Sequence, residues 1–151
     1  MSHTFLLEEG RWTFKGHWLE RQGLPLPIEG KTLIAWGQQS WFTWVTRLEF
    51  PQGEHPPITL QYRGRLDLGD RFYNFGLQHS TLGRVEGEGW IAPDSIVQHY
   101  QVITEDDRQS QRRNGFETLH RLDEKTYLFS GGTFVGPALV TTMEAILQRQ
   151  G

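Results

Sequence analysis

Two glutamates are spaced so that they can divide acid and base work. Glu86 and Glu88 lie two residues apart in an alternating segment, so their side chains share one strand face. Paired carboxylates act as general acid and general base when burial raises the pKa of one of them. Because glycines flank these two residues along the segment, the sequence favours a solvated outer face for both.

The histidines show no spacing typical of a metal site. No pair has the His-x-x-x-His or His-x-His spacing that brings two imidazoles to one metal ion. His120 alternates with Phe116, Thr118 and Leu122, which predicts that it follows an apolar face into the interior. A hydrogen-bonded core histidine is favoured there over a haem or metal ligand. The candidates for acid–base catalysis are His99, His120, Glu86 and Tyr100.

Arginines form a third group of candidates. Arg63 and Arg65 share one strand face opposite an apolar set, and Arg112 begins a later strand. We expect most arginines to lie on the solvated exterior. An arginine that turns inward can bind a carboxylate through two parallel hydrogen bonds, and Tyr62 or Tyr100 would then be its hydroxyl companion.

Composition excludes several classes of protein. The chain has no cysteine, which excludes disulfides, thiolate nucleophiles and cysteine-ligated zinc. It has no Gly-x-Ser-x-Gly hydrolase motif and no phosphate-binding glycine loop. A net charge of −3 supplies no basic field for nucleic acid. No segment approaches the ~20 apolar residues of a membrane span, and no signal peptide is evident, so a cytoplasmic location is predicted.

Alternation of apolar and polar residues dominates the chain and predicts strands. The 6 Trp, 9 Phe and 4 Tyr favour strands, and the 17 Gly favour bends and turns. About ten segments alternate in this way: 11–19, 31–36, 41–50, 58–66, 71–78, 84–91, 95–103, 112–122, 126–134 and 139–148. We predict a single all-β domain over residues 1–151, with at most a helical turn near residues 2–9.

The connections between these segments favour a closed barrel. Short turns join consecutive strands, as in an antiparallel up-and-down meander. An open meander of this width would leave two exposed edges and one uncovered face. Closing the sheet removes both edges and leaves room inside for one small ligand. A two-sheet sandwich stays open as the alternative, since alternation does not separate the two architectures.

Gly10-Arg11-Trp12 opens the first strand, and Arg149 stands near the end of the last one. This arrangement resembles the calycin superfamily of lipocalins, fatty-acid-binding proteins and nitrobindins. The resemblance implies a calycin-like barrel whose floor is closed by Trp12, with Arg149 across its ring in a cation–π contact. The chain lacks the lipocalin Thr-Asp motif and is similar to an outlying, compact calycin. A nitrobindin-type haem site needs a histidine near the final strands, and residues 139–148 contain none.

The expected function is binding of one small lipophilic or amphipathic molecule inside the barrel. Aromatic residues would contact its apolar body, and an arginine or tyrosine near the mouth would orient its polar end. The predicted ligand-binding residues are Trp18, Phe42, Trp44, Tyr62, Arg65, Phe72, Tyr100, Arg112 and His120. Two alternatives stay open: a cofactor-independent acid–base enzyme of the lyase or isomerase type, and a solid barrel that acts through its surface. The residues identify no cofactor, predict no metal site and no nucleic-acid partner, and leave a homodimer open.

Overall fold

The computed structural model describes residues 3–53, 55–67, 69–103 and 112–151. Ten β-strands account for most of these ranges. Their bounds are β1 (Gly10–Glu20), β2 (Leu26–Trp36), β3 (Trp41–Glu49), β4 (Ile58–Leu66), β5 (Phe72–His79), β6 (Gly83–Ile91), β7 (Ser95–Val102), β8 (Arg113–Asp123), β9 (Thr126–Val135) and β10 (Ala138–Gln150). No helix occurs in the described ranges.

The strands form one closed antiparallel barrel. Each pairs with the strands before and after it in the chain, and β1 also pairs with β10, where Trp12 lies opposite Arg149 and Trp18 opposite Met143. Because the first and last strands pair, the sheet has no edge strand of the kind that a two-sheet sandwich leaves. The all-β up-and-down barrel predicted from the sequence is therefore confirmed.

Strand β2 begins at Leu26, earlier than the predicted start at Lys31. Its first residues pair with β1 alone, because the pairing of β2 with β3 begins only at Glu29. Pro27 lies in this part, opposite His17 of β1. A proline has no backbone N–H to donate to a neighbouring strand. At Pro27 strand β3 does not pair with β2, so no hydrogen bond to β3 is lost.

Alternate residues of each strand point inward and fill the barrel. In β3 the buried residues are Phe42, Trp44, Thr46 and Leu48, as the alternation predicts. Aromatic rings from different strands meet in this core, and the Trp44 ring stacks on Tyr62 with 4.4 Å between centroids. Such aromatic contacts add to the stability that burial of apolar area provides.

Strand β8 faces the opposite way from the prediction. Glu117 and Leu119 are buried, whereas Phe116 is 39% exposed and His120 is exposed. The prediction that His120 points into the barrel is therefore wrong. Phe116 was taken as part of the inward face because it is apolar. In the structure it packs on the outer surface, with its ring centroid 6.0 Å from that of Phe134.

Residues 3–9 seal one end of the barrel, which we call the floor. Phe5 and Leu6 are fully buried there. The Phe5 ring meets Trp12 edge-on at 5.2 Å and Trp44 edge-on at 5.0 Å between centroids. The opposite end, where β1 finishes and β10 begins, is called the open end below.

Arg149 joins the floor segment to the last strand. Its guanidinium carbon lies 5.6 Å from the Trp12 ring centroid. Nη1 donates a hydrogen bond to the Thr4 carbonyl at 3.0 Å, and Nη2 donates one to the Glu9 carbonyl at 2.6 Å. A Cβ at Gly10 would lie 2.8 Å from the guanidinium carbon, so glycine makes this close approach possible. The geometry matches the floor closure that the calycin resemblance implies.

Replacing Arg149 by alanine should lower the free energy of unfolding by about 2 kcal/mol, because a cation–π contact and two hydrogen bonds from a charged donor are lost. Urea unfolding followed by tryptophan fluorescence measures the change. Gln148→Ala is the matched control, since Gln148 is exposed on the same strand. Equal effects of the two substitutions would count against the closure.

Candidate functional site

Four polar side chains meet inside the barrel, and we call them the polar cluster: Tyr62, Tyr73, Gln98 and Glu117. Each is exposed by 5% or less. The Tyr62 hydroxyl donates to Glu117 Oε1 at 2.6 Å, and Gln98 Nε2 donates to the same oxygen at 2.8 Å. The Tyr73 hydroxyl donates to Gln98 Oε1 at 2.5 Å. The cluster is thus a connected hydrogen-bond network that ends on one carboxyl oxygen.

Strand register and barrel closure bring the cluster together. Gln98 of β7 lies directly opposite Glu117 of β8. Tyr62 stands on β4, which does not neighbour β8, so its hydroxyl reaches Glu117 across the interior. Gln98 sits at an inward position between the inward residues Ile96 and Tyr100. The network therefore depends on the closed barrel.

Burial dominates the electrostatics of these groups. Burial raises the pKa of Glu117 above its usual value, and the hydrogen bonds from Tyr62 and Gln98 offset this only in part. Burial, reinforced by the Glu117 charge, also raises the pKa of Tyr62, Tyr73 and Tyr100. The tyrosines consequently stay protonated and act as hydrogen-bond donors.

A narrow crevice leads from the open end to Glu117. Its volume is about 30 Å³, which is room for about one water molecule. Its lining includes Trp18, Leu60, His79, Tyr100, Glu117, Gly131, Thr141 and Met143. A second void of about 10 Å³ borders Glu117, Trp44 and Tyr62. The carboxyl of Glu117 thus borders two small spaces.

Tyr100 stands between the polar cluster and the open end. It is the next inward residue after Gln98 on β7 and is 6% exposed. A Cβ at Gly115 would lie 2.4 Å from the Tyr100 hydroxyl oxygen. The missing side chain at Gly115 therefore provides the space that the Tyr100 ring occupies.

His79 lies at the open end, where β5 finishes. Its Nδ1 accepts hydrogen bonds from the backbone N–H groups of Thr81 and Leu82, each at 3.1 Å. An acceptor Nδ1 carries no proton, so the neutral ring has its hydrogen on Nε2. Burial lowers the pKa of His79 to about 4. His79 therefore borders the crevice as an uncharged imidazole at neutral pH.

Trp18 forms part of the rim at the open end. Its ring packs edge-on against Phe50, with 5.7 Å between centroids, and its Nε1 donates to Glu20 Oε1 at 3.0 Å. His55 Nε2 lies 3.0 Å from the same carboxylate oxygen. Trp18 is half-buried and packs against the core from this position.

The predicted ligand-binding residues separate into three groups. The interior contains Phe42, Trp44, Tyr62 and Tyr100. Trp18 lies at the rim. The exposed group is Arg65, Phe72, Arg112 and His120.

The prediction placed Phe72 and His120 inside the barrel and Arg65 and Arg112 near its mouth, but all four side chains are exposed. Phe72 is 50% exposed, and its neighbour Tyr73 takes the inward position, so the face of this aromatic pair was assigned one residue out of register. Arg65 extends over the outer surface, where its Nε donates to the Gln39 carbonyl at 3.2 Å. Arg112 precedes β8 and is also exposed.

The glutamate pair occupies the outer face that the sequence favoured. Glu86 and Glu88 are exposed; Glu86 accepts from Arg84 at 3.3 Å, and Glu88 lies 2.9 Å from His99 Nε2. Of the residues predicted for acid–base catalysis, Tyr100 is inside the barrel, whereas His99, His120 and Glu86 are outside.

Sequence reasoning missed Glu117, Gln98 and His79. A usable signal was present for two of them, because Gln98 alternates with Ile96 and Tyr100, and Glu117 alternates with Leu119. A polar residue in step with an apolar face is a candidate for a buried, hydrogen-bonded group. His79 has no comparable signal, since its environment depends on the turn that follows it.

Within the described ranges, no group of three or more histidine, aspartate or glutamate side chains could hold a metal ion. The same ranges contain no helix long and apolar enough to cross a membrane.

Comparison with known proteins bears on the fold. A scan against protein-family models finds no match, and a search of curated proteins finds none. The crystal structure of Rv2717c from M. tuberculosis is similar, with a TM-score of 0.67, 14% identity, and 94% of this chain and 92% of that chain covered. The structure of EF1p2_mFAP2b bound to DFHBI is also similar, with a TM-score of 0.52 and 10% identity. The match covers 99% of this chain and 100% of that chain. Both are ten-stranded antiparallel barrels, and this chain has the same kind of fold.

Proposed function

We propose that this protein binds one small amphipathic molecule through the open end of its barrel, with the polar end of that molecule at Tyr100 and Glu117. The observation that carries the proposal is the polar cluster beside the crevice. Burying a carboxyl and several hydroxyls costs desolvation energy that an apolar filling would avoid. Groups with such perturbed pKa values concentrate where proteins bind ligands or react.

Ligand entry requires side chains at the open end to move, because the crevice has room for about one water molecule. Met143 is suited to this movement, since its side chain is unbranched and packs from a partly buried position. On the neighbouring strand, Gly131 contributes no side chain to the crevice. Displacing Met143 would therefore open a path along β9 and β10 to Glu117.

The comparisons support a barrel of this kind as a container. EF1p2_mFAP2b, which has a similar fold, is bound to the small molecule DFHBI. An outlying place in the calycin superfamily is supported by this fold together with the Arg149–Trp12 contact. A cytoplasmic location and a homodimer stay predictions.

Binding can be tested with the neutral fluorescent dye Nile red. We expect saturable binding of one dye per chain to the wild type, and loss of that binding in Met143→Trp, because the larger ring fills the crevice. Fluorescence titration measures both. Ile146→Trp is the control, since Ile146 is 46% exposed on the same strand. The proposal fails if the wild type takes up no dye, or if Met143→Trp binds it as well as the control does.

Glu117 also supports a second candidate, the cofactor-independent acid–base enzyme. A buried carboxyl with a raised pKa beside a crevice is suited to donate or accept a proton. Tyr100 would be its partner facing the open end. Mass spectrometry of a molecule that copurifies with the protein separates the two functions, because an enzyme changes the mass or isomeric form of that molecule on incubation and a binding protein returns it unchanged.

A further inference from the structure

We propose that the polar group of the ligand is a protonated amine that sits against Glu117, and that fatty acids are not the preferred ligands; this inference rests on the proposed binding function. The sequence suggested the reverse arrangement, in which an inward arginine binds a carboxylate. Inside the barrel the structure has a carboxyl, that of Glu117.

The hydrogen bonds of Glu117 leave it suited to a donor. Tyr62 and Gln98 both donate to Oε1. Among the described residues, no side-chain hydrogen bond to Oε2 is found, and the carboxyl borders the crevice. An ammonium group supplies N–H donors and a positive charge, and a charge-assisted hydrogen bond to a carboxylate is stronger than a neutral one. Oε2 is therefore the natural acceptor for a cationic head group.

Within the described part of the chain, the titratable groups around Glu117 supply no positive charge. They are Tyr62 on β4, Tyr73 and His79 on β5, and Tyr100 on β7. The tyrosines are neutral donors, and His79 is uncharged at neutral pH because burial lowers its pKa to about 4. Across the part of the chain that the structure describes, Glu117 takes part in no ion pair. A bound ammonium would be its counterion.

The cations that a carboxylate ligand needs are elsewhere. Arg65 lies on the outer surface, and Arg149 is held at the floor by the Thr4 and Glu9 carbonyls. Among the described residues that line the crevice, no cation would compensate a bound carboxylate beside Glu117, and two adjacent carboxyl groups cannot both ionise at little cost. The aromatic rings of Trp18 and Tyr100 line the crevice, and such rings attract cations rather than anions.

Competition among three eight-carbon compounds tests the head group while the apolar chain stays the same. Octylamine, octanol and octanoate are each titrated against Nile red bound to the wild-type protein at pH 7. We expect octylamine to displace the dye at a concentration at least about tenfold below that of octanoate, as a charge-assisted contact at Glu117 requires. Octanoate that displaces the dye as well as octylamine, or dye that none of the three displaces, overturns the inference while dye binding itself still stands. Failure of the dye to bind removes the proposed function and this inference with it.

The variant Glu117→Gln assigns the preference to this residue. It retains the shape and an oxygen acceptor, and we expect the ratio between octylamine and octanoate to fall below about threefold when the charge is lost. Glu86→Gln, on the outer face, should keep the wild-type ratio. A Glu117→Gln protein that folds and keeps the full preference contradicts the assignment. The wild-type competition decides the head group by itself if this variant does not fold.

Discussion

Replacing Trp44 by alanine should lower the free energy of unfolding by about 4 kcal/mol, within the range for a large buried aromatic side chain. Trp44 is 2% exposed, stacks on Tyr62 and meets the floor residue Phe5 edge-on at 5.0 Å. Its Nε1 donates to Thr46 Oγ1 at 3.0 Å. The substitution therefore leaves a cavity between the floor and the polar cluster. Denaturant unfolding followed by circular dichroism measures the loss.

Trp90→Ala is the control for this experiment. Trp90 is 63% exposed on β6, so its removal should change the free energy of unfolding by less than about 1 kcal/mol. A Trp44→Ala protein that loses no more stability than Trp90→Ala would show that the interior is not packed as described.

The contribution of His79 to the stability of the protein should fall by about 2–3 kcal/mol between pH 6.5 and pH 4. Its pKa is lowered by burial from 6.5 to about 4 in the folded protein. Between these two values the unfolded chain binds a proton at this position and the folded protein does not. The contribution is therefore complete above pH 6.5 and is lost as the pH falls through about 4. Urea unfolding at several pH values measures this slope.

The variant His79→Asn isolates the contribution. Asparagine offers an oxygen near the position of Nδ1, where it can accept from the Thr81 and Leu82 amides, but it does not titrate. The wild type should therefore lose stability relative to the variant as the pH falls from 6.5 to 4. His120→Asn, on the outer face of β8, should follow the wild-type slope. A variant with the same slope as the wild type would rule out His79 as the source.

Much of the fold could be predicted because the alternation of apolar and polar residues indicates both where a strand lies and which of its side chains point inward. The buried set of β3, Phe42 to Leu48, is the set that the sequence indicates. Alternation fails where both faces of a strand carry apolar residues. In β8 the apolar Phe116 was taken as an inward residue, but the inward residue is its neighbour Glu117. In β5 the adjacent aromatic residues Phe72 and Tyr73 are equally suited to the inward position, and the structure places Tyr73 there. The floor segment 3–9 was not predicted, since its residues have no strand period. His3, Phe5 and Leu6 are buried only because the barrel forms beneath them.

The candidate site was less predictable than the fold. Tyr62 and Tyr100 were identified, because tyrosines in step with an apolar face are expected inside. Glu117 was missed, since a single charged residue is normally placed in solvent, and its burial depends on donors from β4 and β7. Those donors meet it only across a closed barrel, and the pattern of a single strand contains no information about contacts across the interior.

The floor has a consequence for the order of folding. Arg149 donates to the carbonyl of Thr4, a residue 145 positions earlier in the chain. Consecutive hairpins can pair locally as they form, but the seam between β1 and β10 must close a loop of nearly the whole chain, which is slow. The floor segment depends on both sides of this seam, because it packs on Trp12 of β1 and is held by Arg149 of β10. Docking of residues 3–9 is therefore expected among the last steps of folding, together with closure of the seam.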